Sequence, residues 1–301
     1  MSDTKSVWKK YAAAALAVVS VVGFASCGSS NGAGSDDSAT SELEQVKKNG
    51  EIVFGTEGTY APFSYHDTDD NLTGYDVEIA TAVAEELGVK AKFVEANWDS
   101  LLAGVDAKKF DTVADQVTPN DERKQKYDFT DLYTYSQGVA VTKKGNDDIK
   151  SFSDIKGKNA AETKTSNWNQ TAQENGANIV SVNDFAQAVD AITSGRADVT
   201  LNDKLAVLDY LKQKPDADVQ IAAKSEISPA AAFPIRKGED DLVKALNDAL
   251  AKLQKDGTLK KLSVRPRRRT WWSGSGLRAA CRCSSCRPYR TCRQHRPYGS
   301  S

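Results

Sequence analysis

The sequence predicts an α/β fold built on a mainly parallel sheet, and three observations predict it. Between Glu51 and Asp256 the spacing of apolar residues switches repeatedly between strand-like and helix-like, the order that sets parallel strands side by side. Gly88, Gly195 and Gly257 follow helical stripes, where a left-handed residue ends a helix. The 236 residues from 28 to 263 contain no cysteine, so this body must be held by burial alone, and its length suffices for that.

The elements follow in order. EIVFGT, at residues 51–56, is a short apolar strand. In GYDVEIATAVAEELG, Ile79, Val83 and Leu87 share one helical face with Ala80 and Ala84 beside them. VKAKFVE reads as a strand, WDSLLAGVDAKK as a helix and FDTVADQV as a strand again. Phe185, Val189 and Ile192 form a helical stripe, ADVTL is a strand, and Leu205, Leu208 and Leu211 belong to the next helix. Leu242, Leu246, Ala249 and Leu253 line a long final helix. Ligand sites of such folds lie at the carboxyl ends of the strands. This body has no internal repeat, glycine-rich phosphate loop or zinc-ligand spacing.

Length and charge narrow the classes. The 301 residues suit two domains at roughly 150 residues each. The formal charge is −1 overall, but residues 1–27 carry +2 and residues 264–301 carry +10, which leaves −13 on the body between them. So acidic a body lacks the basic face that grips nucleic acid. No apolar run of 18 residues marks a polytopic membrane protein.

The first 27 residues read as an export signal. Lys5, Lys9 and Lys10 precede an apolar run from Tyr11 to Ala25, and small residues lead to Cys27. GFASC resembles a bacterial lipobox, with Phe24 in place of the usual aliphatic residue, which implies lipid on Cys27. Residues 28–41, rich in Gly, Ser and Asp, cannot bury enough apolar surface to fold and suit a flexible tether.

From FGTEGTYAPFSYHDTDDNLTGYDVEIATAVAEELGV onward the chain resembles the amino-acid-binding family of ABC-transporter substrate-binding proteins. The likeness continues in order through WDSLLAGVDAKKFDTVADQVTPNDERKQKYDFTDLYTYS, FSDIKGKNAAETKTSNWNQTA, GRADVTLNDKLAVLDYL and LQKDGTLKKLS. TKTSNWNQTAQENGA and RADVTLNDKLAVLDYLK resemble the cystine-binding branch in particular. The resemblance implies a two-lobe periplasmic-binding-protein-like fold of type II, its lobes joined by two crossing strands with ligand enclosed between them. Lobe one is then 42–134 plus 231–263, and lobe two is 135–230.

The candidate site residues come from the residue types and this resemblance together. The body holds three Arg against 24 Lys, and a planar fork such as Arg123 suits a carboxylate held in fixed orientation. The resemblance places Arg123 on the ligand α-carboxylate and Asp203, with Asn202, on the α-ammonium; both residues of this pair also suit a helix N-cap. Thr165, Ser166 and Asn167 open a helix whose first N–H groups favour an anion, or serve as plain caps. Gln116 and Thr118 end a strand where the family makes backbone and hydroxyl contacts, although QVTPNDER departs from the commoner Gly-bearing form. Tyr60 and Trp98 are core aromatics or flat walls for the ligand. Glu57 is either a surface acid or the partner of a distal ammonium, and His66 reads as a surface loop residue.

The tail from 264 to 301 breaks with all of this. Arg use rises to ten in 38 residues, Lys vanishes, and Trp and Cys cluster. The expectation is a frameshift near Ser263 with a disordered product, which the gene would check by encoding a helical ending in another frame; a native basic tail is the alternative. Zinc on Cys281, Cys283, Cys286, Cys292 and His295 fits no common finger spacing.

The expected function is an extracytoplasmic, lipid-anchored binding protein that delivers a polar amino acid, cystine foremost, to an ABC permease. It is expected to act as a monomer, by lobe closure, with no cofactor, metal, nucleic acid or catalytic residue. Glutamine, glutamate or a basic amino acid are alternative ligands. The rivals of another class are a cyclohexadienyl-type dehydratase on the same fold and a sensor or adhesin domain.

Overall fold

The structure, a computed structural model, describes residues 40–226 and 229–263. The expected signal with Cys27, nearly all of the tether and the 264–301 tail lie outside the described residues. Among those described, no helix is long and apolar enough to cross a membrane.

The chain enters through α1 (Glu42–Asn49), which Ser41 caps and Gly50 ends at φ 69°. β1 (Glu51–Thr56) follows at once, and its Ile52 and Phe54 begin the first core. An antiparallel meander of β2 (Thr59–Tyr60), β3 (Ser64–His66) and β4 (Leu72–Thr73) comes next. Then α2 (Tyr75–Glu86), β5 (Lys90–Glu95), α3 (Trp98–Asp106) and β6 (Thr112–Val113) complete a parallel sheet of order β5–β1–β6. Ile79, Ala80, Val83 and Ala84 of α2 are fully buried in its core, as their spacing predicts. The β6 strand is shorter than FDTVADQV suggests. Its ladder stops at Gly55↔Val113, and beyond it Gln116 adopts φ 52°. There its backbone N–H and its side-chain amide each donate to Asp76 at 2.6 Å.

After α4 (Asp121–Lys126), β7 (Tyr127–Phe129) and β8 (Thr134–Tyr135), the chain passes to a second sheet. It contains β9 (Gly138–Lys143), β10 (Asn159–Glu162), β11 (Asn178–Ser181), β12 (Val199–Asp203) and β13 (Val219–Lys224), interleaved with α5 (Asn167–Glu174), α6 (Phe185–Thr193) and α7 (Lys204–Gln213). The order is β11–β10–β12–β9–β13. β10 runs parallel to both neighbours, whereas β9 is antiparallel to both of its own. The chain then returns through β14 (Ala230–Ala231) and β15 (Pro234–Arg236), which pair with β8 and β7. Finally α8 (Asp240–Lys255) and α9 (Thr258–Ser263) cover the first core, where Leu242, Leu246, Ala249 and Leu253 are buried.

This is the two-lobe arrangement, one sheet per lobe. One stripe behaves differently from its pattern: Leu205 and Leu208 stand 49% and 44% exposed, while α7 buries Ala206, Val207 and Asp209. His66 is not a loop residue either. It ends β3, with its ring against Glu95 at 3.0 Å and the Asp70 carbonyl at 3.1 Å.

Candidate ligand-binding cleft

The carboxyl ends of the strands in both sheets meet at a cleft lined from both lobes. From the second sheet, β12 ends there in Asn202 and Asp203. Asp203 holds the N-cap position of α7 but makes no side-chain cap bond. Its carboxyl instead accepts from the Tyr60 hydroxyl at 2.6 Å. That hydroxyl lies equally close to Asn202 Oδ1 and has one proton to share between the two. Burial pushes the Asp203 carboxyl up, against hydrogen bonds from Tyr60 and Trp168 that hold it down. Burial and the Asp203 charge together push the Tyr60 phenol well up.

Arg123 is 5% exposed and bridges the lobes. Its Nη1 donates to the Thr118 carbonyl and its Nη2 to the Thr165 carbonyl, each at 2.9 Å. Its guanidinium carbon lies 5.4 Å from the centre of the Trp98 ring, within cation–π range. Burial lowers its pKa to about 10, so it stays charged at neutral pH. Thr118 and Thr165 therefore reach Arg123 through their backbones, and neither they nor Arg123 are among the residues lining the cleft itself. The Thr165 N–H and hydroxyl both donate to Asp99 of α3 at 2.8 Å, another tie between lobes. Ser166 caps α5 by accepting from the Trp168 N–H at 3.0 Å, and Asn167 lines the cleft beside it.

Glu57, Tyr60, Trp98 and Gln116 line the cleft from the first lobe. Glu57 is no surface acid. Burial raises its pKa to about 7, with Asp184 and Asp99 adding to the rise, while the Trp98 backbone N–H at the start of α3 holds it down. Asn97 gives α3 no side-chain cap, so Glu57 serves as the acceptor at that helix start. Gln116 lines the cleft but spends its amide on Asp76, whose own pKa burial lifts to about 7.

Five lining residues escaped the sequence reading: Asp115, Thr163, Trp168, Asp184 and Phe185. Phe185 was legible only as part of a core stripe, and it does pack edge-on to Tyr210 as well. The register of the first sheet places Asp115 near Glu57, since Gly55 pairs with Val113 and Glu57 and Asp115 each lie two residues further along. Altogether the lining carries four carboxylic acids, Glu57, Asp115, Asp184 and Asp203, and no basic side chain.

Residues 52–265 match the family model for bacterial extracellular solute-binding proteins, family 3. The chain belongs to that family. This solute-binding protein is 48% identical to the L-cystine-binding protein TcyA of Bacillus subtilis over 258 residues, 85% of this chain and 96% of the relative. It is 45% identical to the L-cystine solute receptor of Neisseria gonorrhoeae, solved unliganded and open, with a TM-score of 0.50 over 73% of this chain and 94% of that one. An ancestral arginine-binding protein bound to arginine is 34% identical, with a TM-score of 0.67 over 71% of this chain and 96% of that one.

Proposed function

We propose that this solute-binding protein captures a free amino acid outside the cytoplasm, L-cystine by preference, and hands it to an ABC permease. The observation that carries the reading is the charge of the cleft: four acids and no base line it, so the ligand must bring its own positive charge. Asp203 receives the α-ammonium, with the Tyr60 hydroxyl already beside it. Arg123 has five N–H donors, and its remaining ones, with the first N–H groups of α5, are assigned to the α-carboxylate. Tyr60 and Trp98 wall the ligand. The relatives named for L-cystine support the choice of ligand.

Closure is a population shift. Lobes 42–134 plus 231–263 and 135–230 pivot where β8 and β14 pair, and ligand favours the closed form because only there do both lobes touch it. The reading contains no covalent step. It includes a lipid anchor on Cys27 and a monomeric body. A thermal-shift panel tests it: ligand at 100 times its Kd adds about 2.7 kcal/mol of stability. A response to L-cystine supports the reading, a response to glutamine, glutamate or a basic amino acid instead moves the specificity, and no response to any amino acid overturns it. Consumption of a cyclohexadienyl substrate would replace it with the dehydratase reading.

A further inference from the structure

Thr165, just ahead of α5 in the second lobe, spends its polar groups on the first lobe. Its N–H and its hydroxyl both donate to Asp99 Oδ1 of α3 at 2.8 Å, and its carbonyl accepts from Arg123 Nη2 at 2.9 Å. A carboxylate thus grips one side of this residue and a guanidinium the other, and charged partners make the stronger hydrogen bonds. Further along α5, Gln170 Oε1 accepts from the Asn120 side-chain amide at 2.9 Å. Asn120 Oδ1 meanwhile caps the helix that carries Arg123, by accepting the Arg123 N–H. None of Asp99, Asn120, Thr165 and Gln170 is among the residues lining the cleft. Asp99, Thr165 and Gln170 are exposed, so water competes for their bonds and each contributes modestly. Each bond between these residues joins one lobe to the other, so opening breaks them together, and none of them reads the side chain of a ligand.

We propose that Asp99, Thr165, Asn120 and Gln170 form a latch beside the cleft, which holds the lobes together without touching the ligand and sets how long a captured amino acid stays. Asp99 is a positioning residue in it: by taking the Thr165 N–H and hydroxyl, it turns the Thr165 carbonyl to Arg123. A ligand that enters an open cleft meets the latch unmade, so association is left alone. Release follows only after the lobes part, so the latch bonds add to the barrier for leaving. The residence time rests on the amino-acid reading above, whereas the latch itself is independent of it.

Stopped-flow kinetics on the full chain test the latch with two probes. L-cystine is two-headed, with an amino-acid group at each end, and S-methylthio-L-cysteine keeps the disulfide but is one-headed. Asp99→Ala should speed release of both by the same factor, about fivefold or more, as for one lost hydrogen bond, with association nearly unchanged. Asp99→Asn keeps an acceptor oxygen and should restore most of the lost lifetime. Gln170→Ala and Thr165→Val leave α3 untouched and should speed release by smaller factors, again equal for the two probes. A role confined to folding would lower the melting temperature and leave release as it is. Unchanged release in both Gln170→Ala and Thr165→Val, or acceleration for one probe only, overturns the latch while leaving the amino-acid reading intact. Binding of neither probe to the wild type counts against that reading instead, and small-angle scattering of the ligand-free chains then decides the latch. A larger radius of gyration in Asp99→Ala than in the wild type supports it, and an equal radius overturns it.

Discussion

The two rims of the cleft are built differently. On the second lobe nearly every polar group already has a partner: Ser166 caps α5, Thr165 donates twice to Asp99, and Asn202 accepts from Tyr60 and from the Asp203 N–H. On the first lobe Trp98 Nε1 has none, Asp115 is hydrogen-bonded only with Glu57, and burial raises the Glu57 pKa to about 7. Unpaired buried groups are costly, so the first rim is stabilised only when something arrives to satisfy it. The difference teaches a division of labour. On the proposed reading, the partnered rim, with Arg123, would fix the head that all amino acids share, while the other rim would discriminate between their other ends.

The sharpest way to break that division is to remove the shared grip. Asp203→Ala or Arg123→Ala should weaken binding by about 2–5 kcal/mol, the cost of stranding one half of a buried charged pair. The loss should be the same for one-headed and two-headed ligands by calorimetry. A loss confined to two-headed ligands would put Asp203 or Arg123 on the discriminating rim. Tyr60→Phe comes next. It removes the hydroxyl that joins the rims at 2.6 Å, a bond to a charged acceptor worth roughly 1.5–3 kcal/mol. Because the bond exists only across the cleft, the variant should populate the open form more, and small-angle scattering of the ligand-free protein should record a larger radius of gyration.

How far the sequence foretold these rims depends on the kind of signal. Asp203 and Tyr60 were legible from motif and residue type, and they meet across the cleft. Arginine scarcity was a weaker guide. Arg236 is as rare a residue as Arg123, yet it forms an ion pair with Glu42 and donates to the Val105 and Phe110 carbonyls, a framework role. Gln116 illustrates the limit of chain-local reading. Its left-handed φ of 52° is a conformation that glycine adopts most readily, and its partner, Asp76, lies 40 residues away. Asp115, Asp184 and Trp168 were missed for the same reason. Nothing near them in sequence marks them, and only strand register and helix placement bring them to one cleft. Alternation of elements, by contrast, depends on local periodicity, and it was the most legible feature of all.

A buried acid that does not itself line the cleft, Glu162, bears on how stability varies with pH. Glu162, at the end of β10, accepts from the Leu201 N–H at 2.6 Å and from the Thr200 hydroxyl at 3.3 Å. Burial raises its pKa to about 8, so the folded chain keeps a proton that the unfolded chain loses near 4.5. Stability is then highest below the unfolded value and falls as pH rises through the folded one. Glu162→Gln keeps an acceptor and removes that titration. Its unfolding free energy, read from denaturant curves, should gain on the wild type as pH rises between those values, by up to about 1.4 kcal/mol per pH unit. A constant offset between the two curves would mean that Glu162 is ionised in the folded chain.

The smallest effect probes the partnered rim itself. Ser166 Oγ accepts the Trp168 N–H, so Ser166→Ala should cost about 1 kcal/mol of stability, as for other lost N-caps. Its effect on affinity discriminates further. If Ser166 only prepares the rim, the loss appears in the melting curve while the preference between one-headed and two-headed ligands stays put. Trp168 packs against Gly138, where an added methyl would collide with the indole ring, so the aromatic wall is held from behind even when its cap is gone. A shift in ligand preference caused by Ser166→Ala would make this rim selective too, and the contrast between the two rims would dissolve.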